Sequence, residues 1–272
     1  PMAGLYLAFE RFSYKGGIWG SAWVGLNNFY EFFSDGEFLR ALRNTVIFSL
    51  GKLALQFPTA IILALALNEL RHARIKKLYQ TVFTFPHFIS WVVMAGILKN
   101  MFASNGVINQ LLTVWGMDAI SPLLSKTGFR PFIWFSNIWK EAGWDTIIYM
   151  AALAGIDPGL YEAAEIDGAN RWRKIWHITL PGIRSTILIM LILEIGRIMT
   201  TGASFDQVFN LYSSPVYEAA DTIDTYIYRT SFGGTKNFGY TTAVGLSKSI
   251  IGVLMMLGAN RMVTACGEDG LF

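Results

Sequence analysis

The residues best placed to do chemistry are polar groups set inside apolar stretches. Lys52, Lys99, Lys140, Glu141, Asp145, Glu194, Arg197 and Lys248 all interrupt runs of hydrophobic residues. A charge in hydrocarbon costs about 2.5–3.5 kcal/mol on insertion scales, so such a group is expected to face a cavity or a partner. Glu194 and Arg197 are spaced i, i+3 and on one helix would form a pair. Asn137, Trp139, Trp144 and Tyr149 stand near these charges. They offer stacking faces and hydrogen bonds to a polar ligand. Asn137, Trp139, Glu141, Trp144, Asp145, Tyr149, Glu194 and Arg197 are therefore the candidate lining of a pathway. The plainer alternatives are that Lys99 and Lys140 snorkel from helix ends and that Glu194 and Arg197 only join helices.

Other chemistries lack their groups. Glu141 with Asp145 is the only close carboxylate pair in an apolar stretch, and no histidine accompanies it. A membrane-embedded enzyme would need a convergent acid/base or metal cluster. His87 has no second ligand at metal-site spacing and reads as a packing or kink residue beside Pro86. The one Gly-Lys pair, Gly51-Lys52, is followed by Leu53. It does not match the G-x-x-x-x-G-K-[S/T] cradle for phosphates. The chain is thus expected to bind no cofactor and to hydrolyse no ATP itself. Cys266 stands alone, which rules out an intrachain disulfide framework and reads as an inert thiol.

The elements that must position these residues follow from composition. Of 272 residues, 53% are hydrophobic and only 15% charged, against about 25% charged in soluble domains. Aromatics at 15% suit headgroup belts. The net charge of +3 is spread along the chain, with no basic stripe for nucleic acid. Five stretches approach the roughly 20 apolar residues of a spanning helix: 44–67, 78–101, 131–154, 181–199 and 240–263. A remnant at 1–9 is expected to be the end of a sixth span that begins upstream. Basic residues cluster in alternate connectors. Arg71, Arg74, Lys76 and Lys77 crowd one, and Arg171, Arg173, Lys174 and Arg184 fill or flank another. The intervening connectors hold only Lys126 and Arg130, or Arg229 and Lys236. The positive-inside rule places the first pair, and the C-terminus, in the cytoplasm. The loop over 200–239 faces outward and is rich in aromatics.

The cytoplasmic segment 155–181 reads GIDPGLYEAAEIDGANRWRKIWHITLP. Asp157-Pro158 is a helix start, because Asp caps free amides and Pro suits the first turn. Leu160 to Ile166 fill a short helix, and Gly168 suits a left-handed C-terminal turn. A second short helix is expected over 170–178, and Pro181 is expected to open the next span.

The order Glu162-Ala163-Ala164, three residues, Gly168, nine residues, Ile178, one residue, Leu180-Pro181 resembles the EAA motif of ABC importer permeases at every step. Further segments are similar to the family: Trp23 to Phe29, Arg43-Asn44-Thr45, Leu67 to Leu70, Pro86 to Trp91, Ala259-Asn260-Arg261 and Glu268 to Leu271. The set is most similar to the subgroup importing oligosaccharides and polysaccharides, alginate-type acidic glycans among them. Ile175, where the family often has Phe, is a conservative departure.

That resemblance implies an all-α membrane protein with the type I ABC importer fold, about six helices, and a single permease domain over 1–272. It implies a multi-pass subunit of the bacterial cytoplasmic (inner) membrane, paired with a second homologous permease. The other implied partners are an ABC ATPase dimer that binds ATP and Mg, an extracytoplasmic solute-binding protein, the saccharide substrate and membrane lipid. The loop 157–181 would couple to the ATPase through Tyr161, Glu162, Ala163, Ala164, Asp167, Gly168, Ala169 and Pro181. An ion-driven secondary transporter would explain the carboxylates Glu141, Asp145 and Glu194, but not the EAA string.

Overall fold

The computed structural model describes residues 2–201, 204–233, 237–265, 267 and 270–271. Cys266, Lys236, Glu268 and Asp269, singled out above, lie outside them. After a 3-10 helix at Met2–Phe9 come strands β1 (Glu10–Ser13) and β2 (Gly17–Trp23). The helices are α1 (Asn27–Phe33), α2 (Gly36–Asn68), α3 (Ala73–Thr84), α4 (Trp91–Met101), α5 (Val107–Val114) and α6 (Lys126–Leu153). Then follow α7 (Pro158–Ile166), α8 (Arg171–Lys174), a π turn at Ile175–Thr179, α9 (Leu180–Gly182), α10 (Arg184–Gly196) and α11 (Ile198–Thr201). The last are α12 (Phe205–Leu211), α13 (Tyr217–Ala220), α14 (Ile223–Phe232) and α15 (Phe238–Ala265).

Among the described residues, α2 and α15 are long and apolar enough to cross a membrane on their own. The number is four if α3 with α4, and Arg171–Gly182 with α10, each count as one broken span. The span expected over 78–101 is therefore not one straight helix. Pro86 lacks an amide donor and constrains the residue before it; here it sits in a 3-10 turn at Phe85–Phe88, after which Ile89 is extended. The span expected over 131–154 is, but for its last residue, part of α6, whose middle carries Lys140, Glu141 and Asp145. Of the remnant of a first span expected over 1–9, the described part, Met2–Phe9, is a 3-10 helix leading into a hairpin.

By contacts the chain divides into two compact units. The first comprises Pro1–Gly51, Trp91–Trp134 and Arg197–Leu254. Its hairpin pairs β1 and β2 antiparallel, with Glu10 opposite Trp23. Its core includes Phe32, Phe38, Phe48, Ile133, Tyr226 and Tyr240. Asp35 ties this unit together. Its Oδ1 accepts from the amides of Glu37 and Phe38 and so caps α2, while its Oδ2 accepts from the hydroxyls of Tyr226 and Tyr240. Asn44 donates to the carbonyls of Glu218 and Asp221 and accepts from Arg130 at 2.8 Å. The segment expected as an outer loop thus holds short helices pinned to α2, with Ser204 and Thr222 capping α12 and α14.

The second unit comprises Lys52–Ser90, Phe135–Gly196 and Met255–Phe272. Ala60, Ala64, Tyr149, Leu153 and Ile183 form its buried centre. Small residues let its helices meet closely. A methyl group on Gly143 of α6 would overlap the carbonyl of Phe83 in α3. One on Gly196 would crowd Met256 of α15.

Candidate functional site

The candidate residues gather in two features of the second unit: a polar cluster among apolar helices, and the loop at 157–181. In α6, Asn137, Glu141, Asp145 and Tyr149 recur every four residues and so share one face. Gln56 of α2 meets that face. Asn137 donates to its side-chain oxygen, and Gln56 Nε2 donates to Asp145 Oδ2 at 2.5 Å. The chain of amides satisfies groups whose burial would otherwise cost about 1–3 kcal/mol each. Beside it a cavity of about 30 Å³, room for a water-sized group, is lined by Lys52, Gln56, Asp145, Tyr149, Glu194 and apolar neighbours. Of the pathway candidates, Asp145, Tyr149 and Glu194 therefore converge on one cavity, and Asn137 reaches it through Gln56.

Glu141 belongs to a second cluster. It shares a hydrogen bond of 2.5 Å with His87 and accepts one of 2.8 Å from Lys140, which also donates to the His87 carbonyl. The Trp144 ring lies parallel to the His87 ring at 4.2 Å. These contacts hold the 3-10 turn at Phe85–Phe88 that follows α3. His87 is a kink residue, as expected. Lys140 is buried in the middle of α6 and does not snorkel from a helix end. Trp139 lines a separate apolar groove with Ile62, Phe83 and Gly143. Lys248 pairs with Asp224. Lys99 is exposed in the last turn of α4.

Glu194 and Arg197, expected on one helix, lie in and just beyond α10. The helix α10 stops at Gly196, and Arg197 stands in the turn before α11. Glycine in a helix interior is destabilising by roughly 0.5–1 kcal/mol, and at Gly196 its missing side chain makes room for Met256. Gln56 was not among the sequence candidates. An amide two residues before Pro58 in an apolar helix was the available signal.

The loop is built as its residues dictate. Asp157 caps α7 by accepting from Gly159, and Pro158 occupies the first turn. At the other end Gly168 has φ +70°. Its amide donates to Glu165, and that of Ala169 donates to Ala164 at 2.8 Å. This is the Schellman arrangement, which needs a left-handed residue at the position of Gly168. Asn170 then caps α8 through the Arg173 amide. Tyr161 and Thr179 share a hydrogen bond of 3.0 Å. Lys174 donates to Glu165 at 2.7 Å, and that bond and charge hold the Glu165 carboxyl below its ordinary range. Glu162, Ala163, Asp167, Gly168 and Pro181 are exposed; Ala164 and Ala169 are half-buried.

The second helix of the loop departs from expectation. It neither ends at Ile178 nor lets Pro181 open the next span. Helix continues from Arg171 to Gly182 through the π turn, and the break comes at Ile183, with a 61° bend. Pro181 cannot donate, and in an α-helix its ring would collide with the carbonyl four residues back. The wider π turn just before it accommodates the ring.

Residues 56–264 match the family model described as binding-protein-dependent transport system inner membrane component. The chain belongs to this family, the permeases of ABC importers. It is similar to the polygalacturonan/rhamnogalacturonan transport system permease protein YteP of Bacillus subtilis, with 42% identity over all of this chain and 84% of that protein. The protein LplB of the same organism is 44% identical over all of this chain and 85% of its own length. Among solved structures, a bacterial alginate ABC transporter in complex with a periplasmic protein bound to alginate pentasaccharide superposes with a TM-score of 0.90 at 38% identity. That match covers all of this chain and 90% of the other. A bacterial ABC transporter involved in importing the acidic polysaccharide alginate gives 0.88 at 40% identity, over 96% and 87%.

Proposed function

We propose that this chain is the permease subunit of an ATP-driven importer that moves an oligo- or polysaccharide across the bacterial inner membrane by alternating access. The whole of 1–272 serves as one multi-pass permease domain. The observation that carries the reading is the exposed, doubly capped helix Pro158–Ile166 with its left-handed Gly168, set in the EAA spacing. A short rigid helix, uncovered on the face bearing Glu162 and Ala163, has the form of a part that seats in another protein. In this reading Tyr161, Glu162, Ala163, Ala164, Asp167, Gly168, Ala169 and Pro181 transmit the closure of a partner ATPase dimer, which holds ATP and Mg. Tyr161 joins the lever to the following helix through Thr179.

A second homologous permease completes the pathway, and an extracytoplasmic binding protein delivers the saccharide. The relatives named above favour an acidic glycan of the alginate or pectin kind. Lys52, Gln56, Asp145, Tyr149 and Glu194 line a water-sized cavity, and once the pathway opens they would offer donors and acceptors to saccharide hydroxyls. The test is uptake in vesicles holding this chain with its partner permease, ATPase and binding protein. Saccharide import should require ATP and the ATPase. Import by this chain on an ion gradient alone would refute the proposal and favour the secondary transporter.

A further inference from the structure

The helical segment Arg171–Gly182 has two faces. Arg173, Lys174, His177 and Ile178 turn toward Ala164 and Ala169 of the coupling loop. Trp172, Ile175, Trp176 and Leu180 turn the other way, toward Ile61 and Leu65 of α2. Between this second face and α2 lies an open groove of about 760 Å³, with Arg171 and Glu69 the charged members of its lining. Trp172 and Trp176 are 70% and 64% exposed beside it. From the structure we infer that the groove is a binding site for one anionic phospholipid of the cytoplasmic leaflet, its acyl chain in the slot and its headgroup at Arg171.

Three observations favour a lipid over a protein. Two exposed tryptophans bordering an apolar slot are the pattern of a membrane–water interface. Arg171 lines the groove, the connector that follows Glu69 carries exposed Arg71 and Arg74 outside that lining, and basic groups between helices on the cytoplasmic side hold anionic headgroups. The exposed coupling residues Glu162, Ala163, Asp167 and Gly168 are not part of the groove lining, so the ATPase is not needed to fill it. The lipid would brace, from behind, the helix that carries the coupling loop.

The test uses the assembled transporter in vesicles whose phosphatidylcholine or phosphatidylglycerol carries brominated acyl chains, which quench tryptophan on contact. Brominated phosphatidylglycerol should quench more than brominated phosphatidylcholine, and Trp172→Phe with Trp176→Phe should remove that extra quenching. One basic residue near an anionic surface is worth about a fivefold change in binding. Arg171→Gln should therefore lower the preference for phosphatidylglycerol about fivefold, and Arg171→Lys should largely keep it. Circular dichroism confirms that each variant is folded. Equal quenching by the two headgroups would overturn the inference. So would two tryptophans that no brominated lipid reaches, which would mean that protein covers the groove.

Discussion

Replacing Gly168 isolates the contribution of one backbone turn to coupling. Its φ of +70° lies in the left-handed region, and a side chain placed there meets no atom within 4 Å. The cost of substitution is therefore conformational and not steric. The left-handed conformation costs a non-glycine residue about 1–2 kcal/mol, and asparagine tolerates it better than alanine. At Gly168→Ala the population of the native turn should fall about 5- to 30-fold relative to competing conformations. The two Schellman bonds from Gly168 and Ala169 would be lost with it. Gly168→Val should cost more, because branching at Cβ stiffens the chain against this conformation. The assay is the number of ATP molecules hydrolysed per saccharide imported by the assembled transporter, with the thermal midpoint as control. That number should rise in the order Asn, Ala, Val, while the midpoint moves little, since the turn is exposed. A valine variant that couples as well as the parent would refute the role given to this turn.

Two further predictions concern stability. Gly143→Ala would drive a methyl into the Phe83 carbonyl, and overpacking of this kind typically costs about 1–3 kcal/mol; a lowered thermal midpoint of the purified protein checks it. Burial pushes the Asp35 carboxyl up, but hydrogen bonds from Tyr226, the amides of Glu37 and Phe38, and Tyr240 outweigh it, leaving the pKa below its ordinary value. The folded pKa is thus lower than the unfolded one, so this contribution is present above the ordinary carboxyl range and is lost as pH falls through the folded pKa. Melting curves should show an acid loss below about pH 4 that is smaller in Asp35→Asn.

The loop was legible in the sequence because its rules are local. Asp157, Pro158, Gly168 and Asn170 each act on backbone groups within a few residues, so their types fix the helix ends. The long helices were legible for the same reason that apolar length is. What was hidden depends on contacts distant in the chain. Nothing near Glu141 announces that His87, 54 residues away, will hydrogen-bond to it. Gln56 became a member of the cavity only when α2 met α6. Trp139 and Trp144 looked alike in sequence, but helical geometry turned one to an apolar groove and the other onto an imidazole ring. The break at Ile89 follows from Pro86, yet hydrophobicity alone ran straight through it.

The π turn at Ile175–Thr179 sets a phase. An α-helix advances about 100° per residue, and a π turn is equivalent to one inserted residue wound into the same stretch of helix. Deleting a single residue there would restore regular winding. If the same residues were instead all wound as plain α-helix, everything before the turn, the loop proposed to couple included, would swing by about 100° in azimuth relative to everything after it. The angle at which the lever leaves the membrane helix is thus encoded in a residue count as much as in residue types. Aligning this segment between permeases by identity alone, without allowing for that extra residue, would rotate their docking surfaces out of correspondence.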